Sequence, residues 1–206
     1  MHQLNLNFSK SEKIIKYIIL ILPFTFVAGT AFVNLVSIIL ALYFIFLTIK
    51  KKIKVNKKYY YVFFLVLTLF LINSYLSINP KLSFIKTLGI FKLCCITFLI
   101  IHYSKNKNFV LKFSKYIFFL LTFIFFDLLI QYFFGQDIFG FNYNQAHGLR
   151  LSGPFGDEFV AGSFIAKLSF LSLIYIAYKN NSLLLFLILI LINLITFLTN
   201  ERSASI

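Results

Sequence analysis

Arginine is the residue type best suited to binding an oligophosphate, and this chain has only two, Arg150 and Arg202. A planar guanidinium donates paired hydrogen bonds to phosphate or carboxylate, whereas each of the eighteen lysines acts as a point charge. Arg150 lies in a glycine-rich stretch, residues 135–162, that holds six of the eight glycines. We therefore expect both arginines to contact an anion, the alternative being that each pairs with a nearby carboxylate.

Asp157 and Glu158 form a pair of carboxylates shortly after Arg150. A carboxylate in this place accepts a proton from an attacking hydroxyl group, so either residue is a candidate general base. The alternative is structural, with Asp157 as a helix N-cap and Glu158 in the first turn, which stabilises a helix by about 0.5–2 kcal/mol. The two roles are compatible. His147, three residues before Arg150, is a candidate for phosphate binding or proton transfer, or else a solvated loop histidine.

A second set of polar side chains lies within apolar sequence. Asp127 and Gln131 are four residues apart and share one helix face. Lys92 lies in another apolar run, where a charge tends to pair or to line a cavity. Lys92 and Asp127 are predicted to lie at a similar depth in the membrane, so we hypothesise that they form an ion pair. Lys92 is also a candidate for binding a substrate anion. No cluster of His, Cys and carboxylate residues has metal-site spacing, so neither a metal nor a cofactor is expected.

The amino-acid composition indicates which class of protein, and therefore which secondary-structure elements, position these residues. Hydrophobic residues make up 60% of the 206, aromatic residues 20% and charged residues 13%. A soluble domain has roughly half apolar and a quarter charged residues, so an ordinary soluble protein is excluded. The net charge of +14 comes from lysine clusters between apolar runs, which favours membrane topology over nucleic-acid binding.

The apolar runs predict an all-α, polytopic transmembrane helical bundle with about seven spans in a single domain, residues 1–206. From residue 17 to residue 49 the chain carries no charge. One helix of that length would measure about 50 Å against a hydrocarbon core of roughly 30 Å, so two spans joined near residues 28–31 fit better. An outer loop is expected at residues 135–157. The predicted spans are residues 14–29, 31–49, 59–76, 88–103, 116–134, 159–178 and 183–199.

The distribution of lysine predicts the orientation of the bundle. Three lysines, at residues 10, 13 and 16, lie before or in the first turn of the first predicted span, and six follow the second, so two crossings place both clusters on one side. Acidic residues show the opposite preference and concentrate on the other side with both arginines. The positive-inside rule then puts the N-terminus in the cytoplasm and the glycine-rich loop outside.

Several motifs, taken in chain order, resemble a known family. They are Asp127 with Gln131, then FGQDIFG at residues 134–140, RLSGPFGDE at residues 150–158, Gly162-Ser163, and NERS at residues 200–203. They resemble the O-antigen ligase and polymerase superfamily of bacterial inner-membrane glycosyltransferases, in which an Arg-x-Ser-Gly-x-Phe signature and a later Glu-Arg follow successive spans. The resemblance covers residues 14–206.

The resemblance implies a function and a set of partners. A glycan would pass from an undecaprenyl diphosphate carrier to lipid A core or to a growing polysaccharide, at the periplasmic face of a multi-pass inner-membrane protein. Arg150 and Arg202 would contact the diphosphate, with Lys92 and His147 assisting and a loop carboxylate as base. Arginines neutralise the leaving group without a metal. Family members continue into a large periplasmic loop, so the chain is expected to be an N-terminal fragment and activity to belong to the full-length protein.

Two other classes of protein remain open. A polytopic transporter or lipid-linked glycan flippase is one, although transporters place ionisable residues near the bilayer midplane. Here the ionisable residues within apolar sequence crowd toward the predicted outer end, and only Lys167 is central. A noncatalytic membrane scaffold is the other, and it would not require the glycine-rich loop.

Overall fold

The computed structural model describes residues 10–53, 57–142, 150–156, 158, 160–180 and 182–199. Within these ranges the chain forms seven α-helices and no β-strand, so the predicted all-helical fold is confirmed there. The helices are α1 Lys10–Ala28, α2 Thr30–Ile49, α3 Lys57–Tyr75, α4 Pro80–Ser104, α5 Lys107–Phe134, α6 Ala161–Tyr178 and α7 Ser182–Leu198, and a short 3₁₀ helix, Gly153–Phe155, precedes α6.

Five helices in the described ranges, α2 to α6, are long and apolar enough to cross a membrane. α1 differs because Lys10, Glu12, Lys13 and Lys16 occupy its first two turns. Its uncharged part measures about 18 Å, which is less than the roughly 30 Å of a hydrocarbon core. α7 has 17 residues and measures about 25 Å. The apolar helices thus indicate a membrane protein, while the number of seven spans stays a prediction.

A single residue, Gly29, separates α1 from α2. Its φ of +106° lies in the region that favours glycine, because a side chain with a Cβ is strained there. This break lies inside the predicted turn at residues 28–31. The long uncharged run therefore forms two helices.

α4 and α5 begin earlier than the spans predicted at residues 88–103 and 116–134. α4 begins at Pro80 and α5 at Lys107. Proline suits the first turn of a helix, where its missing N–H costs no hydrogen bond. The lysines in the early turns of both helices stay exposed. Hydropathy located the apolar part of each helix but not its polar beginning.

α6 begins at Ala161, and its N-cap position is Val160, which offers no side-chain hydrogen bond to the helix. Asp157, the predicted N-cap, lies outside the described residues. The Glu158 N–H donates to the carbonyl of Phe155 at 3.3 Å, and the Val160 N–H donates to the carbonyl of Glu158 at 3.0 Å. These extra turns delay the start of the helix beyond the acidic pair.

The chain divides into two compact units, and the first comprises residues 1–19 and 31–107. Phe98 of α4 stacks on Phe44 of α2 with ring centroids 5.5 Å apart, and it meets Tyr60 of α3 at the same distance. Aromatic packing of this kind joins three helices of the unit through one side chain.

α3 and α4 of the first unit pack side by side across a short connection. Near that connection the buried hydroxyl oxygens Ser74 Oγ and Thr87 Oγ1 lie 2.6 Å apart, and the Ser83 hydroxyl donates to Ser74 Oγ at 3.2 Å. A hydroxyl cluster therefore links the two helices at this end.

The second unit comprises residues 20–30 and 108–206, and its core is built largely on α5. Buried residues of α5 recur at the three- and four-residue spacing of one helix face. They pack with Leu151 and with Ala161 and Ile165 of α6. The α5 members of this core are Ile117, Leu120, Leu121, Ile124 and Leu128.

Candidate functional site

Gln131, near the C-terminal end of α5, connects both ends of the loop that follows the helix. We call residues 135–160 the α5–α6 loop. The side-chain oxygen of Gln131 accepts the Gly153 N–H at 2.8 Å, and its amide nitrogen donates to the Phe141 carbonyl at 3.2 Å and to Ser152 Oγ at 3.3 Å. The side chain is fully buried. A single amide thus supplies donors and acceptors to two separate loop segments.

The first of these segments, residues 136–142, is a tight hairpin closed by Asp137. Gln136 and Asn142 form an isolated antiparallel bridge. Between them the Asp137 N–H donates to the Phe141 carbonyl, the Gly140 N–H donates to the Asp137 carbonyl, and the Phe141 N–H donates to Asp137 Oδ1. The Asp137 side chain therefore acts as an internal acceptor for its own turn.

Asp127 of α5 connects the hairpin to the helix. Its Oδ1 accepts the N–H of Ile138 at 2.8 Å, and its side chain is fully buried. Asp127 and Gln131, which share one face of α5, therefore both bond to backbone groups of the loop. The 136–142 hairpin lies along the helix as a result, rather than leaving its end directly.

Asp127 and Asp137 also carry unused acceptor capacity. Oδ2 of each residue is buried and has no hydrogen-bond partner among the described residues. Burying a polar oxygen without a partner costs free energy, so these two oxygens are the ones in the loop region that a donor group would stabilise.

The second loop segment, around the 3₁₀ helix Gly153–Phe155, needs glycine at two positions. Gly153 has a φ of +55°, and a Cβ added there would lie 3.0 Å from Leu128 Cδ2 and 3.5 Å from Asp127 Oδ2. Gly156 has a φ of +64° and packs against the ring of Phe141. Close approach of the loop backbone to α5 therefore depends on the missing side chain of Gly153.

The structure places three of the predicted site residues in different settings. Arg150 is half-buried and directly precedes Leu151 and Ser152, which are both buried. Glu158 is exposed, between the 3₁₀ helix and α6. Lys92 lies in α4, and its ammonium donates to Asn34 Oδ1 of α2 at 3.1 Å. Arg150 and Glu158 thus belong to the α5–α6 loop, and Lys92 belongs to the other compact unit.

Three further predicted site residues, His147, Asp157 and Arg202, lie outside the described residues. The hypothesis of a Lys92–Asp127 pair stays a prediction, because the two residues belong to different units. Each has a bond within its own unit, from Lys92 to Asn34 and from the Ile138 N–H to Asp127.

Sequence reasoning assigned no site role to Asp137 or to Gly153. A signal for Asp137 exists, since Asp-x-x-Gly at residues 137–140 is a common β-turn pattern. Gly153 belongs to the glycine-rich stretch, but its close approach to Leu128 involves residues far apart in the chain. No local pattern identifies such a contact.

Comparison with known proteins identifies no relative of this chain. No family model matches the chain, and no curated protein or solved structure matches it.

Proposed function

We propose that the chain is a membrane-embedded glycosyltransferase of the O-antigen ligase and polymerase type. It would transfer a glycan from undecaprenyl diphosphate to lipid A core or to a growing polysaccharide, at the periplasmic face of a bacterial inner membrane. The observation that carries this proposal is the anchoring of the loop beside Arg150. Ser152 and Gly153 are bonded to Gln131 within three residues of the guanidinium, so the backbone that carries it is held on α5.

A held arginine suits this reaction because the leaving group is an anion. An acceptor hydroxyl attacks the anomeric carbon, the bond from that carbon to the phosphate oxygen breaks, and the electron pair stays on the diphosphate. A guanidinium held in advance stabilises the charge that develops there without reorganising first. Glu158 is exposed and remains the described candidate for accepting the hydroxyl proton.

The test is glycan transfer from a synthetic undecaprenyl diphosphate donor by the full chain reconstituted in lipid. We expect Arg150→Ala to lower kcat/KM by about 100-fold, the usual effect of removing one donor to a developing anion. Arg150→Lys should recover only part of the rate, because lysine does not donate paired hydrogen bonds.

Lys81→Ala is the matched control for this test. Lys81 is exposed, and the lysine distribution predicts that it lies on the same side of the membrane as Arg150. It should keep the wild-type rate. Equal rates for wild type, Arg150→Ala and Lys81→Ala would reject the assignment of Arg150 to the diphosphate.

One observation favours a second candidate function, a flippase for lipid-linked glycans. Lys92 lies in the middle of α4 and donates to Asn34 of α2, and both helices are long and apolar enough to cross a membrane. A charge within a membrane helix commonly marks a path for a polar substrate. Lys92→Gln should then abolish movement of the donor across vesicles, whereas the transferase predicts no such movement in wild type.

A further inference from the structure

The 136–142 hairpin returns along α5 instead of leaving the end of the helix. Its Ile138 N–H reaches Asp127, which lies about two helical turns, or about 10 Å, before the end of α5 at Phe134. Its Phe139 ring packs against the ring of Phe123, with centroids 6.4 Å apart, and Phe123 lies about three turns before that end. Two independent contacts therefore place the hairpin beside the last turns of a candidate membrane span.

Four backbone N–H groups of the hairpin donate hydrogen bonds within the protein. The N–H groups of Asp137, Gly140 and Phe141 find acceptors inside the hairpin, and that of Ile138 bonds to Asp127. A hydrocarbon environment tolerates irregular backbone only when its polar groups are satisfied internally. Accepting hydrogen bonds from the hairpin backbone therefore gives Asp127 and Asp137 a structural role in an apolar region.

The exposed surface at the tip of the hairpin, residues 138–141, is apolar, whereas the polar residues Gln136 and Asn142 at its base are also exposed. Ile138 and Phe139 expose 53% and 57% of their surface, while the carboxylate of Asp137 is buried. The sequence from residue 138 to residue 141 contains no polar side chain. The same surface continues onto α5 through the contact of Phe139 with Phe123, which is 39% exposed. Water would be in contact with a continuous aromatic and aliphatic patch if the hairpin lay outside the bilayer.

We propose that the 136–142 hairpin is re-entrant, with Ile138 and Phe139 inserted among the acyl chains of the leaflet at the C-terminal end of α5. Lipid hydrocarbon is the occupant that fits, because the patch is continuous with the exposed flank of a candidate span. Asp127, Gln131 and Asp137 then serve as the partners that keep irregular backbone satisfied at that depth. This inference requires only that α5 spans a bilayer, and it is independent of the glycan-transfer proposal.

Tryptophan fluorescence tests the proposal directly, because the chain contains no tryptophan. Phe139→Trp gives a single reporter, to be reconstituted in phosphatidylcholine vesicles with or without dibrominated acyl chains. We expect a loss of emission in brominated vesicles and little loss with aqueous iodide. Phe126→Trp, on the exposed flank of α5, should behave in the same way.

Ile78→Trp is the matched control, since Ile78 is a fully exposed apolar residue in the connection between α3 and α4. Iodide should quench it more strongly than it quenches Phe139→Trp. If iodide quenches Phe139→Trp and Ile78→Trp equally and brominated lipid does not quench Phe139→Trp, the hairpin lies in water and the proposal is wrong. Protection of position 139 from both quenchers would also overturn it, because protein would then cover the patch. Ile138→Trp repeats the test if Phe139→Trp does not fold.

Discussion

At the scale of single residues, Gln131 is the side chain on which the loop depends most. Its buried amide bonds to Gly153, Phe141 and Ser152, which lie in two loop segments. Removing one partner from a buried hydrogen bond costs more than the bond itself contributes, because the remaining group is left without water. Gln131 therefore offers a sharper test of the loop structure than any exposed residue does.

Gln131→Leu should leave the Gly153 N–H without an acceptor while keeping a similar volume. We expect amide hydrogen exchange at Gly153 to become about 10-fold faster or more, since an orphaned buried group costs about 1–3 kcal/mol. Exchange measured by mass spectrometry in nanodiscs reports this change. Gln136→Leu is the control, because the Gln136 side chain is exposed. Unchanged protection of Gly153 in Gln131→Leu would show that the loop is held by other contacts.

At the scale of elements, the helical hairpin formed by α3 and α4 is joined near its connection by hydroxyl groups. Ser74 Oγ and Thr87 Oγ1 are buried and lie 2.6 Å apart. Hydrogen bonds between membrane helices contribute about 0.6 kcal/mol on average, because unfolded helices in lipid also find partners. The pair is therefore expected to align the hairpin with only a modest effect on its stability.

A double-mutant cycle with Ser74→Ala and Thr87→Val measures this interaction. We expect a coupling free energy of about 0.6 kcal/mol for unfolding in bicelles. The control cycle uses Thr68→Val and Thr97→Val, whose exposed hydroxyls bond to carbonyls of their own helices. It should show no coupling. Equal coupling in the two cycles would contradict a direct bond between Ser74 and Thr87.

Helix positions could be predicted from the sequence more fully than the loop could. Apolar runs determine where a chain becomes helical in lipid, so α2, α3 and the end of α5 lie near the predicted spans. The polar first turns of α4 and α5 were not predicted, because hydropathy identifies only the apolar part of a helix. The sequence also did not predict that the 136–142 hairpin returns to Asp127. That contact depends on a hydrogen bond between α5 and the loop, which the spacing of residues along the chain does not indicate.

At the scale of the whole molecule, the charge distribution makes a prediction about membrane topology. Lysines cluster around the connection after α2, at residues 50–58, and around the connection after α4, at residues 105–115. The α3–α4 connection and the α5–α6 loop have fewer basic residues nearby, which are Lys81, Lys86 and Arg150. The positive-inside rule places the lysine-rich connections in the cytoplasm. The loop with Arg150 would then lie on the opposite side.

Single cysteines test this topology after Cys94 and Cys95 are replaced by alanine. Lys51→Cys and Lys105→Cys should react with an impermeant maleimide only in inverted vesicles. Ile78→Cys and Gln136→Cys should react only in vesicles of the opposite orientation. Labelling of all four positions from one side would contradict the orientation.

Following donor and product together distinguishes glycan transfer from transport. Vesicles containing the full chain and a synthetic undecaprenyl diphosphate glycan receive an acceptor, and mass spectrometry detects any new glycosidic bond. We expect glycosylated acceptor and released undecaprenyl diphosphate in equal amounts. Donor that crosses the bilayer without forming product would contradict this expectation and would establish transport instead.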